Sequence, residues 1–115
     1  MKVTVCELPN EPAALEPAWK NLCEHVREES SEFVLLPEMP FYRWLAHTQD
    51  VSSEEWAASI QAHREWNHRF QDLIPATVIS THPIINQSIR QNVGYVCSGS
   101  YFTRSAILDP GSRSV

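Results

Sequence analysis

The sequence predicts an α/β protein, and two observations carry that prediction. Residues 33–36 are apolar at every position, which is typical of a strand in a parallel sheet that is covered on both faces. A stripe of large apolar residues precedes this run at helical spacing, with steps of four, three and four: Leu15, Trp19, Leu22 and Val26. A strand before this helix would complete a right-handed βαβ unit.

That first strand is predicted over residues 2–8, where Val3 and Val5 share one face and Pro9 follows. The helix after it is expected to begin close to Glu16, because Pro17 is tolerated only within a first helical turn. The polar residues 28–31 mark its end.

A second helix is predicted from a local start signal. Ser52 and Glu55 have the S-x-x-E spacing of a capping box, and the helix is expected to run to about Leu73, with Pro75 behind it. A third strand follows over residues 76–81, which are rich in β-branched side chains. We expect His82 and Pro83 to close it and a further strand to begin near Asn92.

Composition sets the class of protein. With 115 residues, 43% hydrophobic content and three glycines, the chain is expected to form one globular domain. A net charge of −5 argues against a nucleic-acid or anionic-membrane partner. No apolar run approaches the roughly 18 residues of a membrane span, and the N-terminus has no signal-peptide profile. We therefore expect a cytoplasmic protein without a cofactor.

The three cysteines agree with that compartment, because they are widely spaced and odd in number. Cys6 and Cys23 are most simply small core residues. Cys97 lies near a glycine and could be mistaken for a nucleophile, which would need a nearby activating base.

The most informative segment is Leu-Pro-Glu-Met at residues 36–39. It places Glu38 just beyond a buried strand, at the sheet edge where open α/β sheets bind ligands. A glutamate at such a place can act as a general base, because burial raises the pKa of a carboxyl group toward the operating pH. The alternative is a glutamate that caps a turn or pairs with an arginine, and the pattern alone favours this alternative.

Together, the strand at residues 3–9, the helix and residues 33–41 resemble the N-terminal part of the carbon–nitrogen hydrolase (nitrilase) superfamily. The resemblance implies a partial α-β-β-α sandwich of the nitrilase type, with only the first strands and two helices. It matches Glu38 to the catalytic glutamate of the family and, more loosely, Asn92 to an asparagine that opens a later strand. It covers residues 1–101, so residues 102–115 are expected to be a divergent tail.

The mechanism that the resemblance implies needs two more residues. A cysteine thiolate attacks the amide, carbamoyl or nitrile carbon, the glutamate acts as general base, and a lysine stabilises the oxyanion. The resemblance implies that this nucleophile follows a later strand, beyond the lysine, and is therefore not Cys97. No lysine follows Lys20, and Lys2 and Lys20 lie in the wrong elements. We therefore expect an N-terminal hydrolase fragment, arising from truncation, a frameshift or partial sequencing, that is inactive by itself. The substrate of the complete family would be a small amide, carbamoyl compound or nitrile.

Two other interpretations stay open. The chain could be a small non-catalytic α/β module that binds a ligand through the aromatic loop at residues 41–45, where packing is an equally good explanation and Arg43 is more simply a surface residue. A metal hydrolase would need four side chains that have no recognised ligand spacing: Glu38, His47, His63 and His82. His63 and His68, five residues apart, point to different faces of a helix.

The expected architecture also bears on stability. A single sheet without its second layer leaves one apolar face uncovered. We expect a marginal or aggregation-prone monomer unless the chain forms a homo-oligomer.

Overall fold

A computed structural model describes residues 1–43 and 51–99, together with the backbone of residues 101–108. The elements alternate between strands and helices in its first part and end in antiparallel strands. In chain order they are β1 (Val3–Val5), α1 (Pro12–Glu29), β2 (Phe33–Leu35), α2 (Ser53–Asn67), a 3-10 helix (His68–Leu73), β3 (Thr77–Asn86), β4 (Ile89–Ser98) and β5 (Tyr101–Leu108). The α/β prediction is confirmed.

The strands form one sheet in the order β1-β2-β3-β4-β5. The first three strands are parallel, and β4 and β5 continue the sheet in antiparallel fashion. The predicted parallel pairing of β1 with β2 around α1 is therefore correct. β5 extends the sheet through residues 102–108 of the segment expected to diverge, and residues 109–115 lie outside the described part.

The helices cover one face of this sheet. Four buried side chains lie in one row across β1 to β4: Thr4, Val34, Val78 and Cys97. The apolar stripe of α1 and the 3-10 helix pack against that row through Trp19, Leu22, Val26, Phe70 and Leu73. This cluster is the core predicted from the helical stripe.

The opposite face carries a second row, which is apolar: Val5, Leu35, Ile79 and Val96. Val5 is 74% exposed and Ile79 is 38% exposed. Within the described residues this face therefore has no layer packed on it, as the partial-sandwich expectation requires. Self-association of the chain stays a prediction.

Two element boundaries differ from the predictions for identifiable reasons. α1 begins at Pro12, not near Glu16, because Pro12 occupies the first turn and Pro17 is tolerated within the helix. Pro17 removes only the bond to the carbonyl of Ala13, and the burial of the apolar stripe compensates for it. β1 is shorter than residues 2–8, since its pairing with β2 covers only Val3–Val5.

The end predicted for the third strand at His82 and Pro83 is wrong. β3 continues to Asn86 and turns into β4 at Gln87 and Ser88, whose φ angles of 51° and 67° fit a two-residue hairpin turn. Pro83 is accommodated because β2 pairs with β3 only as far as Ile79. Beyond that residue β3 has one strand neighbour in the described chain, and a residue without an N–H is tolerated.

The start of α2 agrees with the capping signal. The Ser52 side chain accepts a hydrogen bond from the Glu55 N–H at 3.0 Å, but the Glu55 carboxylate accepts from Arg43 at 2.9 Å instead of closing the capping box. The segment predicted to be helical up to Leu73 is α-helical to Asn67 and 3-10 beyond it. Among the described helices, none is long and apolar enough to cross a membrane.

Candidate active site

Glu38 lies where the sequence predicts it, just beyond the C-terminal end of β2. The main chain stays on the sheet as far as Leu36, whose N–H donates to the Ile79 carbonyl at 3.0 Å, and then turns. The Glu38 side chain is exposed, so the burial expected for it is not found. Its position at the carboxyl edge of parallel strands nevertheless agrees with that of a ligand-binding group.

The partner of the Glu38 carboxylate is Asn92 of β4. The Asn92 side chain is fully buried, and its Nδ2 donates to Glu38 Oε2 at 2.8 Å. A carboxylate only accepts hydrogen bonds, so this contact determines the orientation of the amide. The Asn92 Oδ1 then points elsewhere and has no hydrogen-bond partner among the described residues. The exposed Glu38 carboxylate thus keeps an oxygen acceptor that suits an N–H donor.

The turn that carries Glu38 is held at two backbone positions. The Met39 N–H donates to the Thr81 hydroxyl at 2.8 Å, and the Phe41 N–H donates to His63 Nε2 at 3.2 Å. Met39 has a φ of 43°, in the left-handed region that a residue with a Cβ rarely adopts. Strain of this kind persists where the surroundings over-determine the backbone.

A cleft of about 470 Å³ opens beside this turn. Its walls come from the segment after β1 and from the Glu38 turn: Leu8, Asn10, Pro37, Glu38, Met39, Pro40 and Tyr42. Its volume lies within the range of small-molecule sites. The side chain of Glu38 is therefore accessible to a ligand of modest size.

The aromatic loop is explained in its first half by packing. Phe41 is 2% exposed and stacks on Trp66, with ring centroids 5.1 Å apart. Arg43 is exposed and forms an ion pair with Glu55, which agrees with its interpretation as a surface residue. Tyr42 lines the cleft beside Glu38, and Trp44 and Leu45 lie outside the described residues.

No described histidine forms a hydrogen bond with the Glu38 side chain, and His63 hydrogen-bonds to the Glu38 turn only at the backbone. His63 is fully buried and lies against the Ser59 carbonyl, and burial lowers the pKa of its imidazole to about 4. His82 lies 3.1 Å from the Asn67 amide nitrogen and packs on Tyr95. The described residues contain no group of three side chains placed to hold a metal ion, and His47 lies outside them.

Burial makes the described cysteines poor nucleophiles, and the described lysines lie away from Glu38. Cys97 is buried on the helix-covered face, and burial raises the pKa of its thiol, which disfavours the reactive thiolate. Burial likewise raises the pKa of Cys6, to about 11. Lys2 precedes β1, at the opposite edge of the sheet, with its Nζ 3.4 Å from Glu29; Lys20 is exposed on α1.

The structure thus adds three residues around Glu38 that the sequence did not single out for this role. The sequence matches Asn92 to a family position but does not predict its contact with Glu38. It predicts Thr81 only as part of a strand and His63 only as an ordinary helix residue.

No family model and no curated protein matches the sequence. Solved structures match its fold at low identity. A carbon–nitrogen hydrolase from Helicobacter pylori matches with a TM-score of 0.68 and 13% identity, over 91% of this chain and 39% of that protein. A mutant of the Nesterenkonia AN1 amidase, from the nitrilase superfamily, matches with a TM-score of 0.59 and 13% identity, over 95% and 42%.

A glutamine-dependent NAD(+) synthetase from Cytophaga hutchinsonii matches with a TM-score of 0.57 and 16% identity, over 89% of this chain and 18% of its own. The chain therefore spans less than half the length of each of these proteins. The chain therefore shares the fold of part of these carbon–nitrogen hydrolase and nitrilase-superfamily structures.

Proposed function

We propose that this chain supplies the glutamate side of a carbon–nitrogen hydrolase active site, with Glu38 as the general base. The observation that carries the proposal is the 2.8 Å contact between the Glu38 carboxylate and the buried Asn92 amide. It occurs at the carboxyl edge of a nitrilase-type sheet, beside an open cleft. The likeness to known hydrolases supports the fold, and the residues of this edge support the chemistry.

The geometry suits a base. Asn92 occupies Oε2 of Glu38, and no other hydrogen bond to this carboxylate exists among the described residues. Oε1 is therefore left to accept a proton. In the mechanism that the resemblance implies, the glutamate first takes the proton of a cysteine thiol and later activates the water that hydrolyses the thioester.

The substrate class follows from the neighbours and from the acceptors at the site. Mutants of the Nesterenkonia amidase have been solved with butyramide and with acrylamide, and another shows covalent addition at its active-site cysteine. The exposed Glu38 carboxylate, which lines the cleft, would accept the N–H donors of such an amide. We therefore extend the class of small primary amides to this site.

The 115-residue chain is proposed to be inactive by itself. The described residues bring neither a lysine nor an accessible cysteine to Glu38, and groups that act as one catalytic unit lose their effect together. Ammonia release from butyramide should not exceed that of buffer. Turnover by the purified chain that Glu38→Gln abolishes would overturn this part of the proposal.

Binding tests the role of the site directly. Titration of the ¹⁵N-labelled chain with butyramide should shift the Asn92 side-chain amide signals in a saturable way. Glu38→Gln should weaken this response, whereas Glu32→Gln, an exposed carboxylate at the opposite edge of the sheet, should leave it unchanged. Absence of a shift, or equal shifts in Glu38→Gln, would contradict an amide site.

For the alternative of a ligand-binding module that uses residues 41–45, Phe41 is unsuited because it is buried in the core, whereas Tyr42 lines the same cleft as Glu38.

A further inference from the structure

The loop that carries Glu38 is tied to α2 by one side chain, His63. We propose that His63 is a positioning residue, which keeps Glu38 on Asn92 by accepting a hydrogen bond from the Phe41 main chain. This inference rests on the proposed role of Glu38. His63 is buried and has no chemical role in the proposed reaction, so its proposed role is structural support of the Glu38 turn.

The hydrogen bonds of the ring define its state. The Phe41 N–H can only donate, so His63 Nε2, at 3.2 Å, must be an acceptor. The proton of the neutral ring is then on Nδ1, which donates to the Ser59 carbonyl at 2.7 Å, one turn earlier in α2. This second bond sets the orientation of the ring, so that Nε2 faces the loop.

The link from Phe41 back to Glu38 is short and stiff. Only Met39 and Pro40 lie between them. The φ of Pro40 is restricted by its ring, and Met39 is held in its left-handed conformation by the Thr81 hydroxyl. A displacement at Phe41 is therefore passed along the chain to Glu38 instead of being absorbed by a flexible segment.

The surroundings of His63 keep its ring neutral. Its ring neighbours are Phe41, with centroids 5.5 Å apart, and His82 of β3, at 6.4 Å. No carboxylate or cation forms a hydrogen bond with the ring among the described residues. The backbone carbonyls of Ser59 and Met39 would favour a charged ring, but burial outweighs them and lowers the pKa of His63 to about 4. At neutral pH, Nε2 is therefore available as an acceptor.

Loss of this acceptor has a defined consequence. The Phe41 N–H would be left buried without a partner, which is unfavourable. The loop would shift to satisfy it, and the contact between Glu38 and Asn92 would change with it. A residue that only fills space at position 63 would not have this second effect.

Two variants of the full chain, compared by NMR, distinguish a hydrogen-bonding role of His63 from simple filling of space. His63→Phe keeps a ring but has no acceptor, and His63→Gln keeps an acceptor of similar reach. In His63→Phe, hydrogen exchange at the Phe41 amide should be about tenfold faster, as for the loss of one hydrogen bond. The Asn92 side-chain signals should move toward those of Glu38→Gln, and His63→Gln should restore both readouts.

Unchanged Asn92 signals in a folded His63→Phe variant would overturn the proposal, as would equal effects of Phe and Gln. If His63→Phe does not fold, acid titration of the Glu38→Gln chain, which has no carboxylate at position 38, replaces it. The Asn92 signals should then change with the same midpoint as the His63 ring protons, and a different midpoint would refute the inference. Neither readout needs amide binding or turnover, so a failed butyramide titration and a failed positioning test are distinguishable.

Discussion

Acid should destabilise this protein through His63, by an amount that follows from its burial. Burial lowers the pKa of His63 from its usual 6.5 to about 4 in the folded chain. At about 1.4 kcal/mol for each pH unit, this difference corresponds to about 3 kcal/mol. Between these two pH values the unfolded chain binds more protons than the folded chain, so the free energy of unfolding falls as the pH falls. The contribution of the neutral His63 ring to the free energy of unfolding is complete above about pH 6.5 and is lost by about pH 4.

The measurement is urea unfolding, followed by tryptophan fluorescence, at several pH values between 4 and 7.5. Carboxylates also titrate in this range, so the useful quantity is the difference between the unmodified chain and His63→Gln. That difference should fall by up to about 3 kcal/mol from pH 7 to pH 4. His25→Gln, at an exposed histidine of α1, should not change the pH dependence. Parallel curves for the unmodified chain and His63→Gln would refute the reasoning.

Other variants test the packing and the site. Phe41→Ala removes a buried aromatic ring and should lower the free energy of unfolding by about 3–5 kcal/mol in urea; a loss well below this would contradict its place in the core. Asn92→Asp puts a second carboxylate beside Glu38 and should destabilise the chain by about 3 kcal/mol at pH 7 and by less at pH 4; equal losses in melts at both pH values would argue against their contact. Lysine at Val5 and Ile79 together should reduce self-association in light scattering without a large change in melting temperature, unless the uncovered face takes no part in it.

Local signals explain the parts of the fold that could be predicted. The α1 stripe and the Ser52 cap depend on residues within a few positions of one another, and both are found in the structure. The sequence does not predict the β3–β4 hairpin, because its turn residues, Gln87 and Ser88, are not the glycine or asparagine that such turns favour. The passage of β3 through Pro83 depends on where β2 stops pairing, which no local pattern contains.

The sequence by itself determined that a glutamate would stand at the carboxyl end of a buried strand, because an apolar run and the proline after it are adjacent in the chain. Only the tertiary structure decided what surrounds that glutamate. Asn92 lies 54 positions from Glu38, and it reaches the carboxylate because the register of β3 with β4 brings it to that edge. Thr81 and His63 reach the loop for the same kind of reason, since strand pairing and the packing of α2 are set by contacts between distant segments.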